Sequence, residues 1–395
     1  MGKKRILFIN GHLNVGGVER SLIDILRHFD YESYEVDLLL LESYGDYFLE
    51  MPSQVNVIMY PLADASGPLV QTLYKQLRKG NFLLFTYRLL MLISTFVGNR
   101  VIKLLRPFFV NGKKRYDVVI GFRPNNATIF AAYLFHTKKR IAWWHHGEMN
   151  IYGKQREYLI HAYNRMDVIV AVSKSCACML KKAFPSIQNK IKIIPNMLCG
   201  EDILLKAKKR NVMMKPTVCN IVSVGRMSSE KNMIFCIDIA KQLRECSFAF
   251  HWYLIGDGIE LQNIRNKIEV NDLSGFITLT GRLSNPYPYI QSADLLFHPS
   301  LVESQGLTIL EAMALRTSVV VVESAGPTEF IVNGENGIIV EPCLDDTVHT
   351  IIELYRNKPK MLQMCSKAIE TVDYYSPHEI MGLIYLLLNK CLIAD

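Results

Sequence analysis

Apolar residues along this chain fall in short, nearly unbroken runs, with amphipathic stretches between them. In the first half the runs are RILFIN (5–10), EVDLLLL (35–41), VNVIMY (55–60), YDVVIGF (116–122), RIAWWH (140–145) and MDVIVAVS (166–173). A second series begins with VCNIVSVGR (218–226) and continues through FHWYLIGDG (250–258), FITLTGR (276–282), ADLLFHPS (293–300), TSVVVVES (317–324) and GIIVEP (337–342). Runs of this kind suit strands buried on both faces of a parallel sheet. Their alternation with helical patterns predicts βαβ units. The expected class is α/β: two Rossmann-like, doubly wound domains facing across a cleft. Residues 1–200 form the first domain and 216–374 the second. The polar, Lys-rich piece KAKKRNVMMKP marks a linker over 201–215. Residues 375–395 read as a helix with Pro377 at its first position, able to pack on either domain, including back on the N-terminal one. Open α/β sheets bind ligands beyond the carboxyl ends of their strands, so the loops after these runs are where chemistry is expected.

Composition narrows the class. A length of 395 residues suits two domains, and half of the residues are apolar or aromatic, enough for a sizeable core. Nine irregularly spaced cysteines without a C-x-x-C point to reduced, buried thiols rather than a zinc site or a disulfide framework. The opening MGKKRILFINGHLNVGG has too short an apolar run, and no small-residue cleavage site, for a secretory signal. Charge is uneven. Residues 1–195 hold 27 Lys and Arg against 14 Asp and Glu, a net +13; the remainder holds 18 against 23, a net −5. A basic first half is expected to face something anionic.

Several strand-end loops carry candidate chemistry. In NGHLNVGGVERSL, Gly16 and Gly17 precede a helix whose free amides suit an anion, although the spacing makes no dinucleotide fingerprint; a tight strand-to-helix turn is the plainer alternative. In VGRMSSEKN, Arg226 and Lys231 flank a serine pair before the next helix, a plausible diphosphate clamp. Gly256 in IGDG and Arg282 in TGRLSNP lie in further loops whose glycines permit close contact with a planar base, or simply make turns. In PSLVESQGLTILEAMA, a helix is expected to begin near Gly306, with Glu303 before it and Glu311 inside it. Eight helical residues would span about 12 Å. That span matches the distance from ribose to sugar across a diphosphate, although each glutamate alone could be an ordinary surface residue. In RIAWWHHGE, His145 and His146 end a strand. Neighbouring strand residues point opposite ways, so metal binding is disfavoured and one of the two is expected to be structural.

Together these stretches resemble a known family. GRMSSEKN is similar to the G-R-x(4)-K-N loop, and ADLLFHPSLVESQGLTILEAMA to the Glu-x(7)-Glu donor segment, of the retaining glycosyltransferases of the GT-B fold, family 4. SAGPTEFIVNGENGIIVEP resembles the stretch that follows, and GGVERSL and WWHHGE the N-terminal glycine loop and strand-end histidine. The resemblance runs through the whole chain in order and is closest in the C-terminal half. It implies an acceptor-binding first domain and a nucleotide-sugar-binding second domain. Arg226 and Lys231 would bind the donor diphosphate and stabilise the departing charge. Glu311 would hold the ribose, Glu303 would contact the donor sugar near the reacting centre, and the amides of Gly306, Leu307 and Thr308 would meet phosphate or sugar. His145, with His146 in reserve, would contact the sugar from the other domain, and Gly16 and Gly17 would line the cleft. Catalysis would be metal-independent, with no cofactor beyond the nucleotide-sugar donor, UDP-linked by preference. The acceptor would be a glycan or a lipid-linked molecule in bacterial capsule, exopolysaccharide or wall-polymer synthesis. Three positions depart from the family pattern. Ser304 and Gln305 stand where Gly-Phe is common, Arg316 and Ser318 replace a glycine and a proline, and the histidine is doubled.

Residues 65–116 hold no Asp or Glu and ten Lys or Arg, interleaved with apolar side chains. Arg88 and Arg100 interrupt the stretch too closely for a bilayer span. A basic amphipathic segment lying on an anionic membrane surface is expected, which would place the protein in the cytoplasm, peripheral on the inner face of the plasma membrane. The alternative is a core-packing helix pair with a solvated basic face. Nucleic acid is not expected as a partner, since no nucleic-acid-binding motif accompanies the charge. A non-catalytic GT-B module, acting as chaperone or glycan-binding partner of another transferase, is the alternative function, and a sugar-nucleotide epimerase a third; the presence of both glutamates and both cations disfavours them.

Overall fold

A computed structural model of the chain describes residues 2–60, 69–97, 99–108, 114–148 and 153–393. Within the expected membrane segment 65–116, residues 65–68, 98 and 109–113 therefore lie outside the described residues. The chain divides into two compact units, one of residues 1–195 with 380–395 and one of residues 196–379.

The first unit is a seven-stranded parallel sheet. Its strands are β1 (Lys4–Asn10), β2 (Tyr34–Leu40), β3 (Asn56–Met59), β4 (Arg115–Gly121), β5 (His136–Trp144), β6 (Val168–Ala171) and β7 (Ile191–Ile193), in the order β3-β2-β1-β4-β5-β6-β7. Its helices are α1 (Gly17–Arg27), α2 (Leu69–Arg78), α3 (Phe82–Val97), α4 (Asn126–Tyr133), α5 (Gly153–Asn164) and α6 (Lys174–Ala183). Ile6, Leu7, Phe8 and Ile9 are all buried, as strands covered on both faces require. The apolar runs thus mark their strands; β7 was not anticipated, because it is three residues long with Lys192 and Ile193 exposed.

The second unit holds six parallel strands: β8 (Cys219–Val224), β9 (Phe250–Ile255), β10 (Ile277–Gly281), β11 (Leu295–His298), β12 (Ser318–Val322) and β13 (Ile338–Val340). Their order is β10-β9-β8-β11-β12-β13. Helices α7 (Gly200–Ala207), α8 (Met233–Glu245), α9 (Leu261–Val270), α10 (Tyr287–Ser292), α11 (Leu307–Ala314), α12 (Leu344–Arg356) and α13 (Lys358–Asp373) cover the sheet. One core cluster, around Trp252, Phe297 and Ile237, lies on one face; a second, around Leu310, Met313 and Val321, lies on the other.

The first half of the expected linker 201–215 is not a linker. Residues 200–207 are helix α7, and Ile203 and Ala207, four positions apart and so on one face, are buried in the second of these clusters. Glu201 and Asp202 sit in its first turn, where the helix dipole favours acids. Read by composition, the Lys-rich tail beyond residue 207 hides this short amphipathic pattern.

The last helix, α14 (Pro377–Ile393), begins at Pro377, and residues 380 onward belong to the first unit. Tyr385 stacks on Tyr34 with centroids 5.9 Å apart and planes at 10°, and meets Phe29 edge-on at 5.8 Å. Its hydroxyl accepts from the Asp30 amide at 2.7 Å and donates to the His28 carbonyl at 3.3 Å. Tyr385→Ala is expected to cost about 2–3 kcal/mol, the scale of deleting a half-buried aromatic. Tyr385→Phe, which keeps the stack, should cost about 1 kcal/mol. Denaturant unfolding measures both, and equal costs would assign the whole effect to the hydroxyl.

Candidate functional site

In a doubly wound sheet the connections run off in opposite directions from one pair of neighbouring strands, which opens a crevice at their carboxyl ends. In the second unit that pair is β8 and β11, and in the first it is β1 and β4. The loop after β8 is residues 225–232 and carries Arg226 and Lys231; the loop after β11 is residues 299–306 and carries Glu303. The Leu301 amide donates to the Glu230 carbonyl at 3.0 Å and ties the two loops together. Gly306 ends the second loop at φ 89°, where a side chain would also press on Ile309, 2.9 Å from the position of a Cβ. Helix α11 starts one residue later, with Leu307 and Thr308 half-buried in its first turn.

Glu303 is the centre of this arrangement. It is 9% exposed, and its Oε1 accepts from both Lys231 Nζ and His298 Nε2, the latter at 2.7 Å. His298 is the last residue of β11 and is itself buried. Burial alone raises the pKa of Glu303. The hydrogen bond from His298 and the charge of Lys231 outweigh that, holding the carboxyl at about 2 against an ordinary 4.5. Among the described residues Oε2 makes no hydrogen bond, so one oxygen of an ionised carboxylate stays available. Three further buried polar atoms at the ends of β11 and β12, His298 Nδ1, Ser300 Oγ and Ser324 Oγ, have no partner among the described residues. Such atoms are costly unless water or a ligand satisfies them.

The other expected residues of this unit divide into two groups. Glu311, half-buried on α11, accepts from the Tyr287 hydroxyl at 3.0 Å, which fixes its carboxylate. Arg226 is largely exposed, 3.9 Å from Glu230. Arg282 is exposed. At Gly256 the missing side chain makes room for neighbouring backbone. A Cβ there would lie 1.8 Å from the Gly225 carbonyl oxygen, and one at Gly258 would lie 2.3 Å from that of Met227. The IGDG loop is therefore a shelf for the loop that carries Arg226 and Lys231. Gln305, one of the two residues that stand where the family commonly has Gly-Phe, is turned inward: its Oε1 accepts from the Asn196 amide at 2.8 Å and Nδ2 at 2.9 Å.

In the first unit, Gly16 caps α1 in an extended conformation, and a Cβ on it would lie 2.5 Å from Glu19 Oε2. Glu19 curls over the first turn of α1 with its side chain 4% exposed, 3.3 Å from Arg123 Nη1 and 3.7 Å from His12 Nδ1. Arg123 Nη1 also meets His12 Nε2 at 3.1 Å. His12 follows β1 and Arg123 follows β4, so this charged cluster marks the reversal point of the first sheet. Sequence reasoning missed His12, Glu19 and Arg123; their place just after two apolar runs was the available signal. Gly17 is the exposed first residue of α1. His145 is buried, its ring 4.7 Å from Phe122 and near-parallel to Trp143. His146 is exposed, and its carbonyl accepts from Trp144 Nε1 at 2.6 Å. Among the described residues no group of three or more His, Cys, Asp or Glu side chains is disposed to hold a metal ion.

Comparison with known proteins decides the architecture. The chain superposes on HepE of Anabaena, solved with UDP, at TM-score 0.70 and 17% identity, covering 98% of this chain and all of that one. The chain has the GT-B fold. This GT-B chain also superposes on a variant of Staphylococcus aureus TarM, solved with fondaparinux, alpha-GlcNAc-glycerol and UDP, at TM-score 0.73 and 16% identity over 98% of this chain and all of that one. Residues 15–198 match the family model described as Glycosyltransferase Family 4, and residues 206–372 that described as Glycosyl transferases group 1. Among curated relatives, the poly(ribitol-phosphate) alpha-N-acetylglucosaminyltransferase of S. aureus is 27% identical over 42% of this chain and 34% of its own length. The match thus spans about a third of that relative.

The ionised Glu303 also makes a stability prediction. Its folded pKa is depressed, so its contribution is complete above pH 4.5 and is lost as pH falls toward 2. A shift of that size is worth on the order of 3 kcal/mol at neutral pH. Melting temperature followed from neutral pH into acid should fall less steeply for Glu303→Gln than for the wild type; parallel profiles would contradict the ion pair.

Proposed function

We propose that this GT-B chain is a retaining glycosyltransferase that moves a sugar from a nucleotide-sugar donor, UDP-linked, to a glycan or lipid-linked acceptor in cell-surface polymer synthesis. The observation that carries the reading is the buried, ionised Glu303 held by Lys231 and His298 at the strand-order reversal of the second sheet. Lys231, Arg226 and the amides at the start of α11 are assigned to the donor diphosphate, where they offset the charge that develops on the leaving group without a metal ion. The free oxygen of Glu303 is assigned to a hydroxyl of the donor sugar, and Glu311, oriented by Tyr287, to the ribose. The resemblance of WWHHGE to the family's strand-end histidine assigns His145 to the sugar, and that of GGVERSL assigns Gly16 and Gly17 to the donor cleft. Uridine as the base draws support from the UDP bound in HepE and TarM. In the reaction the bond from the anomeric carbon to the diphosphate oxygen breaks. A bond to the acceptor oxygen forms on the same face, and the acceptor proton passes to the departing phosphate.

Turnover of a panel of nucleoside-diphosphate sugars, read as release of the nucleoside diphosphate, tests the reading. Lys231→Ala and Glu303→Ala should each lower kcat by at least about 100-fold, the scale of losing one charge-stabilising group, with the melting transition retained. Wild-type turnover in either variant would remove its assigned role. Donor binding without turnover in the wild type would favour a non-catalytic partner of another transferase.

A further inference from the structure

Helix α2 is built inside out. Among its described side chains the buried ones are polar, Thr72 at 4% and Gln76 at 2% exposure, whereas Tyr74 and Leu77 stand 65% and 53% exposed. At 3.6 residues per turn, Tyr74 and Leu77 fall on the face opposite Thr72 and Gln76. Helix α3 divides more conventionally, with Leu84 and Tyr87 buried and Tyr87 edge-on to Phe130 at 6.2 Å. Yet its outer face also carries a stripe, Phe82, Leu89 and Ile93, spaced seven and then four residues apart. Scattered exposed apolar residues are ordinary; an inverted helix joined by a three-residue turn to a striped one is not. Lys75, Arg78 and Lys79 are exposed beside Tyr74, Leu77 and Phe82, and no acid occurs anywhere from 65 to 116. No helix among the described residues is long and apolar enough to cross a membrane.

We infer that the outer face of α2 and α3 docks on the surface of an anionic lipid bilayer, the aromatic and aliphatic side chains entering the headgroup boundary and the three cations meeting lipid phosphates. Charge complementarity decides the occupant. A protein groove would take the apolar residues but gains nothing from a stretch of this length without a single acid, whereas an anionic leaflet uses both features. The inner face of α3, packed against Phe130, keeps the pair fixed to the sheet, so the surface is presented without the helices leaving the fold. The inference does not depend on the donor chemistry of the second unit.

Flotation of the full chain tests it, with phosphatidylcholine vesicles and with phosphatidylcholine–phosphatidylglycerol vesicles. The wild type should float with the anionic vesicles alone, and less so as salt rises. The combined change Lys75→Gln, Arg78→Gln and Lys79→Gln should weaken binding by about 100-fold, at roughly fivefold per basic residue. Tyr74→Ser with Leu77→Ser and Phe82→Ser should weaken it at least tenfold at unchanged charge. Circular dichroism and the melting temperature show that each variant is folded, and release of the nucleoside diphosphate from soluble donor shows the second unit intact. No flotation, equal recovery on neutral vesicles, indifference to the apolar changes, or preferential capture by nucleic acid would each overturn the inference. A chain that turns over donor and ignores vesicles overturns this inference and leaves the proposed transferase standing.

Discussion

The interaction on which the chemistry proposed for the second unit depends is the ion pair between the buried Glu303 and the partly buried Lys231, with His298 on the same carboxylate oxygen. A carboxylate removed from water is expensive, and this one stays ionised because a cation and a hydrogen-bond donor are both in reach. Each partner arrives from a different place in the sequence. Lys231 comes from the loop after β8, His298 from the end of β11 and Glu303 from the loop that follows it. Only a strand order that sets β8 against β11 brings the three together.

Much of the surrounding structure can be understood as support for that meeting. Gly256 and Gly258 lack side chains where the Gly225 and Met227 carbonyl oxygens fill the space a Cβ would need, which lets the Lys231 loop lie against the end of β9. Gln305 is pinned to Asn196, which anchors the far side of the Glu303 loop. Gly306 takes a left-handed conformation so that α11 can start at once, with Glu311 oriented by Tyr287. Fixed loops of this kind serve electrostatic stabilisation, because groups already in place need no reorganisation when charge develops.

What the sequence made legible follows from how strongly each feature was over-determined. The buried parallel strands showed as apolar runs because both faces are covered, and the α/β class followed from their alternation. Short or mixed segments did not show: β7 is a three-residue edge, and α7 hides behind a run of lysines. Lys231 and Glu303 were legible from their loops and motif spacing, but no spacing rule links His298 to Glu303 by function, since a histidine in HPS reads as a strand end. Gly256 and Gln305 also have structural duties that their loops did not announce: one makes room for the Gly225 carbonyl, the other anchors the Glu303 loop to Asn196. The His12, Glu19 and Arg123 cluster escaped because Arg123 lies far along the chain from the other two and meets them only at the β1–β4 reversal.

The central claim is that the reversal point of the second sheet is a nucleoside-diphosphate site with Lys231 as its principal cation. Titration calorimetry of UDP into the wild type and into Lys231→Ala tests it most directly, since neither turnover nor acceptor enters. The account predicts saturable binding by the wild type and at least a tenfold weaker affinity in the variant, the loss of one charge-assisted contact. Equal affinity in the two proteins, or no binding of any nucleoside diphosphate by the folded wild type, would contradict it.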